Sequence, residues 1–238
     1  MELDSTLTLA RPYRRPYSVP ALRQDTLPFV VRLAESRDDI LKAVHLRAQA
    51  YGRHLPEVGQ LLMQPEADDW RDDVLLLIAE SKLDRSVLGS IRLHPNWLHP
   101  LRIQGEFEMP AHLRGRRLLE LMRLTVRNGL AGKLVMGALA KASFEICAWA
   151  GIDAMLVAGR FPVSAMYEAM QFDDLLHGAT VPLSYAAGVP HGIYALPIAE
   201  VETRLRKVGH WLYPFIAHTE HRDIQLDYRS EALQKWCR

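Results

Sequence analysis

Leu134, Val135, Ala138, Leu139, Ala142, Ile146 and Trp149 form an apolar stripe at helical spacing across about 133–150, and Gly151 stops it. This long helix stands between two strand-like runs, 118–126 and Ile152 to Val157. Strand, helix and strand in that order make a crossover, and a crossover places its two strands parallel. The strands on either side are joined differently. Val74 to Ala79 and Val87 to Leu93 are apolar runs separated by Ser81-Lys82-Leu83-Asp84-Arg85, which reads as an antiparallel hairpin. The expectation is a mixed α/β (α+β) fold: a largely antiparallel sheet with one parallel crossover, flanked by helices.

The other elements fit around that unit. Phe29 to Leu33 is a short strand. Ser36 then opens a helix, with Asp39 three residues on in a capping-box arrangement. Ile40, Leu41, Val44, Ala48 and Tyr51 continue it to Gly52. The stretch 53–72, broken by Pro56, Gly59 and Pro65, is a loop or a short helix. Pro162 opens a second helix with Val163, Met166, Tyr167 and Met170 on one face. Strands at about 180–186 and 192–198 close the sheet. From Ala199 the chain reads as amphipathic helix, with Val201, Leu205, Val208, Leu212 and Phe215 on the buried side. Residues 1–27 interleave proline, tyrosine and arginine and read as an irregular arm. The 238 residues therefore divide into an arm (1–27), one domain (28–198) and a C-terminal helical extension (199–238).

Charge and composition narrow the function classes. A net charge of +1 provides no global field for nucleic acid. Arginine is nevertheless dense locally: Arg11, Arg14 and Arg15 in the arm, then Arg114, Arg116, Arg117, Arg123 and Arg127. Such a patch meets an acidic partner or a phosphate, or is a solvated basic edge. Two cysteines, Cys147 and Cys237, are too few for a disulfide framework and wrongly spaced for a metal site. The ten histidines are scattered, with no zinc-ligand spacing, so no metal is expected. No serine-nucleophile elbow and no phosphate-binding glycine loop of the Walker type occurs. No apolar run reaches the ~18 residues of a membrane span, and the N-terminus lacks a signal-peptide core. A cytoplasmic location is the expectation.

The chemistry concentrates where charges interrupt apolar strands. Arg92 lies inside Leu88 to Leu93, and Glu120 and Arg123 lie inside Leu118 to Val126. A charge in a core strand is costly unless paired, so these residues either face solvent or pair across neighbouring strands. Strict alternation puts Glu120 and Arg123 on opposite faces; a bulge between them would return both to one. Asp68-Asp69-Trp70-Arg71-Asp72-Asp73 is either a solvated acidic loop or a patch for an amine or an arginine.

These residues carry a resemblance. The element order is similar to that of the N-acetyltransferase (GNAT) fold. Met166-Tyr167-Glu168-Ala169-Met170-Gln171-Phe172 resembles that fold's late Leu-Tyr-x-x-x-Gly-Phe motif, with Gln171 where glycine is usual. A more specific resemblance is to the N-acyl amino acid synthases and the related acyl-homoserine-lactone synthases. Four of their motifs occur in order: Arg-x-x-x-Tyr/Phe (Arg47, Tyr51), Asp-x-x-Asp (Asp69, Asp72), Gly-x-x-Arg-Leu (Gly89 to Leu93) and Glu-x-x-Arg-Leu/Phe-x-Val (Glu120 to Val126). The usual acetyl-CoA loop, Arg/Gln-x-x-Gly-x-Gly/Ala, is off register at Arg127-Asn128-Gly129-Leu130-Ala131-Gly132. That departure counts against an ordinary acetyl-CoA enzyme and is tolerable in the branch that takes acyl groups from acyl carrier protein. Within it, Tyr51 and the helical tail favour the N-acyl amino acid synthases. The lactone synthases would carry a tryptophan after the first helix, and 53–62 has none.

The resemblance implies an acyltransferase with no resident cofactor. Its co-substrate would be an acyl thioester, most of all long-chain acyl carrier protein, with acyl-CoA as the alternative. The acceptor would be an amino acid or similar amine. Glu120 would be the base, directly or through a water, with Arg123 beside it, or else a structural carboxylate held by Arg92 or Arg123; backbone amides of a distorted strand would meet the oxyanion. Arg47, Tyr51, Asp69, Asp72 and Arg92 would bind and organise the acceptor, or, Tyr51 aside, lock the active-site loop. Arg114, Arg116, Arg117, Arg127 and Lys133 would dock the acidic carrier. Lactone synthesis and an inactive carrier-binding module are the alternative readings.

Overall fold

The structure, a computed structural model, describes residues 23–53, 56–129 and 131–237. Arg11, Arg14 and Arg15 lie outside them. In chain order the strands and helices are β1 (Arg23–Asp25), β2 (Phe29–Leu33), α1 (Arg37–Gly52), α2 (Pro56–Leu61), β3 (Leu75–Ser81), β4 (Val87–Pro95), β5 (Leu118–Val126), α3 (Gly132–Ala150) and β6 (Ala154–Gly159). Then follow α4 (Val163–Ala169), β7 (Asp173–Asp174), β8 (Val181–Leu183), β9 (Val189–Pro197), α5 (Val201–Lys207), α6 (Leu212–Ala217), β10 (Thr219–His221) and α7 (Glu231–Gln234).

The main sheet runs β2-β3-β4-β5-β6-β9-β7, with β8 also on β9. Its one parallel pair is β5–β6, the strands on either side of α3. The remaining pairs in it are antiparallel. The mixed, largely antiparallel sheet expected from the element order is the one observed.

Alternation along β4 and β5 gives the sheet two unlike faces. Ile91, Leu93, Leu119 and Leu121 pack with Leu139, Ala142 and Ile146 of α3 in the main core. Burying each such side chain stabilises the fold by roughly 1.5–3 kcal/mol. Gly89 lets α3 come this close, because a Cβ there would lie 2.5 Å from Val135 Cγ1. The opposite face carries Arg92, His94, Glu120 and Met122, all buried. Arg92 and Glu120 need partners there, and the segment 66–69, the Ile103 amide and the Tyr185 hydroxyl provide them.

Helix α1 begins as its sequence indicates. Ser36 Oγ accepts from the Asp39 amide while the Asp39 carboxylate accepts from the Ser36 amide. Leu41, assigned to its apolar stripe, is instead 42% exposed, because the buried side of α1 is Ala43, Val44, Leu46, Arg47 and Ala48. The acidic segment is not a solvated loop: Asp68, Asp69 and Asp73 are buried. The C-terminal part is not continuous helix. Gly209, at φ 62°, ends α5, leaving Val208 exposed, and β10 follows α6. β10 pairs in parallel with β1, so Arg23–Asp25, at the end of the expected irregular arm, is a strand. Trp236, fully buried, anchors the chain end by donating its indole N–H to the Asp73 carbonyl at 3.1 Å.

Candidate active site

The site is built around a break in β5. Arg92 faces Met122, but Ser90 faces Thr125, so Ile91 is opposed by both Arg123 and Leu124. One extra residue on β5 is a bulge, and Arg123 takes the left-handed φ of 54°. That conformation costs of order 1 kcal/mol for a non-glycine residue. The guanidinium offsets the cost by gripping Glu66 at 2.9 and 2.6 Å and donating to the Tyr185 carbonyl at 3.2 Å. The bulge required for Glu120 and Arg123 to share a face is present.

Pairing of β5 with β6 ends one residue past Glu120, at Leu121 and Val157. Beyond it the strands diverge and open a cavity of about 760 Å³. Its walls combine Glu120 and the bulge with Ala158 to Phe161 after β6, Met136 of α3, Met166 of α4, and Tyr51 and Val58 on the α1–α2 side. Most of its surface is apolar, and charged side chains including Arg53, Glu120, Arg127, Lys133 and Arg160 are among its lining.

Behind the bulge lies an arginine–carboxylate network. Arg47, on the inward face of α1, holds both Asp69 oxygens at 3.1 and 2.6 Å. Arg92, with no exposed surface, reaches Asp69 and Glu66 at 3.1 Å and Asp68 at 3.5 Å. Arg102 binds Asp68 at 2.8 Å, and Arg71 binds Asp68 at 3.3 Å and Asp73. Burial alone would raise these acids. The hydrogen bond from Arg123 and the nearby guanidinium charges outweigh it and hold Glu66 below the usual carboxylate range. Asp69 is likewise held low by Arg47 and Arg92, and Asp68 by Arg92 and Arg102. The acids of the network are therefore carboxylates at neutral pH.

Glu120 differs. It is 1% exposed, and among the described residues no cationic side chain pairs with it. Its partners are the Ile103 amide at 3.3 Å and the Tyr185 hydroxyl at 3.1 Å. Burial pushes its carboxyl up to about 7 against those two donors, the Arg102 amide and the nearby charge of Arg92. Burial and the adjoining Glu120 push the Tyr185 phenol far above its ordinary value, so it stays protonated and donates. A cavity wall thus carries one acid that exchanges its proton near neutrality, beside a network of acids that do not.

The structure brings most of the residues picked from sequence together, in two layers. Glu120, Arg123 and Tyr51 touch the cavity, and Arg123 lies 5.8 Å from the Tyr51 ring centre. Arg47, Asp69 and Arg92 form the layer behind. Asp72 joins neither: its side chain is 90% exposed and reaches Lys235 at 3.9 Å. The five basic residues assigned to docking do not form one patch. Arg114 pairs with Glu108, Arg116 lies 4.0 Å from Asp153 and Arg117 stacks on Trp97, all at or before the start of β5. Arg127 and Lys133 are past its other end, at the cavity, where Arg53 and Arg160 join them. Sequence reasoning missed Glu66, Asp68, Arg102 and Tyr185. For Glu66 and Asp68 the available signal was their place in the acidic segment.

Comparisons with known proteins give the chain a family and a fold. The family model described as N-acyl amino acid synthase FeeM matches residues 42–190, which span both layers of the site. The structure of FeeM from uncultured soil microbes is similar at a TM-score of 0.59 and 13% identity, covering 75% of this chain and 96% of that one. A CoA-dependent acyl-homoserine-lactone synthase, BjaI, solved with SAM and isopentyl-CoA, is similar at a TM-score of 0.51 and 18% identity, covering 87% and 98%. At these identities the likenesses establish the fold. No curated protein sequence matches the chain.

Proposed function

The chain belongs to the N-acyl amino acid synthase family FeeM and is an acyltransferase acting on an amine-bearing acceptor; from that premise we propose that it moves a long-chain acyl group from acyl carrier protein to the amine of an amino acid. The observation carrying this reading is Glu120, an unpaired buried carboxyl at the wall of an apolar cavity, with a proton affinity near neutrality.

The acceptor arrives as an ammonium ion and needs a free lone pair to attack the thioester carbon. Glu120 takes that proton, directly or through one water. Tyr185 holds the carboxylate in place through its hydroxyl and keeps its own proton. Attack gives a tetrahedral oxyanion, and the backbone at the Arg123–Leu124 bulge, against the cavity, is where amides can meet it. Collapse expels the thiolate, which takes a proton from the new amide nitrogen. The network of Arg47, Arg92 and Arg123 with Glu66, Asp68 and Asp69 keeps the bulge and the 66–70 segment rigid.

The donor's slender arm fits the opening between β5 and β6, where both backbones lack their mutual pairing. Its acyl chain would run among Met136, Val163 and Met166. Arg53, Arg127, Lys133 and Arg160 at the same cavity complement an acidic carrier, as they would the phosphates of a coenzyme.

The test is direct. Purified protein is incubated with palmitoyl carrier protein or palmitoyl-CoA and each of the common amino acids, and thiol release and amide mass are read together. An N-acyl amino acid made faster from the carrier supports the proposal. Amide from CoA alone reassigns the donor, a homoserine lactone reassigns the acceptor, and thioester binding without turnover refutes the reaction.

A further inference from the structure

From this reading of the site, we propose that His94 is a proton relay that carries the acceptor's proton from Glu120 out of the protein. His94 is the direct cross-strand partner of Glu120 in the β4–β5 ladder. Partners in register point to the same face with Cβ atoms about 5 Å apart. The imidazole is 1% exposed, and neither ring nitrogen has a hydrogen-bond partner among the described residues. A buried imidazole with both nitrogens free costs stability and is uncommon. It does not line the cavity, whereas Glu120 does. Glu120 is thus placed between the reacting amine and His94.

The stoichiometry requires such an exit. A thioester and an ammonium ion give an amide, a thiol and one proton. One of the two protons lost by nitrogen ends on the leaving sulfur. The other passes to Glu120, which has almost no solvent contact, and must leave before the next turnover. An imidazole accepts a proton at one nitrogen and releases one from the other, with no change in its own net charge over the cycle. The charged groups around His94 give direction to the transfer. Arg71 and Arg92 oppose a lasting imidazolium, as burial does, while Asp68 and Asp73 favour one. His94 therefore passes the proton on rather than storing it. Asp68, itself buried, is bound by Arg71 and Arg102, whose side chains are 24% and 34% exposed, so solvent begins one side chain beyond the carboxylates that face His94.

The experiment compares wild type with His94→Gln, which keeps polarity and approximate volume but cannot change protonation. Expected are a fall in kcat of at least about tenfold, an unchanged KM for the acyl donor, and a larger solvent isotope effect on kcat because proton release has become limiting. Wild-type kcat and isotope effect in folded His94→Gln overturn the relay. So does a rise in donor KM with kcat unchanged, the mark of a residue that only shapes the cavity. If the variant does not fold, a proton inventory on the wild-type enzyme decides: a bowed, multi-proton dependence is expected, and a linear one-proton dependence refutes the chain. Turnover by wild type with no effect at His94 removes the relay alone. No turnover by wild type removes the acyltransfer reading and the relay with it.

Discussion

Replacing Glu120 with glutamine is expected to stabilise the protein and disable it. The carboxyl ionises near 4.5 when unfolded and at about 7 when folded. The folded state therefore holds a proton that the unfolded chain has already released. Stability falls as pH rises from about 4.5, and the penalty is complete above about 7. At about pH 8 the cost of that difference is about 3 kcal/mol. Glutamine removes it, since it has no charge to bury. Glutamine also turns one carboxylate oxygen into an N–H donor facing either the Ile103 amide or the Tyr185 hydroxyl. Losing one such hydrogen bond costs about 1 kcal/mol. The net expectation at about pH 8 is a gain of about 2 kcal/mol, or roughly 4–8 °C for a chain of this size. At about pH 4 the gain disappears and a small loss remains. Denaturant melts at both pH values measure it. Over the same change kcat is expected to fall by about 10²–10⁴. A glutamine variant less stable than wild type at about pH 8 would mean that Glu120 is a paired carboxylate, and the role of base would fail with it.

Asp69→Asn leaves Arg47 and Arg92 buried without their shared carboxylate and is expected to cost about 3–5 kcal/mol in denaturant unfolding, whereas Asp72→Asn changes stability by less than about 0.5 kcal/mol. Reversing Arg53, Arg127, Lys133 and Arg160 to glutamate together raises KM for acyl carrier protein about tenfold or more, an effect that shrinks with added salt. Trp236→Ala empties a fully buried site and frees the Asp73 carbonyl, so thermal melting should report a loss of about 3–5 kcal/mol.

The sheet was legible because its evidence is local. The stripe of α3 between two apolar runs requires a crossover, and the short polar link after β3 requires a hairpin. The bulge was not legible, because nothing within Leu118–Val126 demands it. What holds Arg123 at a positive φ is Glu66, 57 positions earlier. The acidic segment misleads for the same reason. By composition it belongs in water, and only the arrival of arginines from α1, β4 and the 102 region allows Asp68 and Asp69 to be buried. Asp72, in the same run, faces outward and stays solvated. Motif spacing therefore picked residues that meet at one cavity, while the division between its layers depended on contacts that sequence distance conceals.

That division explains how one acid remains reactive amid so many guanidinium groups. Every carboxylate in the network is in reach of at least one arginine, and each is fixed in its charged form. Glu120 escapes because Arg92 faces Met122, not Glu120, across the ladder. Arg92 Nη2 lies 3.9 Å from Met122 Sδ, a weak acceptor that cannot neutralise it. The thioether fills the ladder position next to Glu120 on that face, and the charge of Arg92 is already committed to Glu66 and Asp69. Arg123 is committed to Glu66 in the same way. The network thus does two things at once. It anchors a strained strand, and it keeps its arginines occupied so that none forms an ion pair with the one carboxyl that exchanges its proton near neutrality.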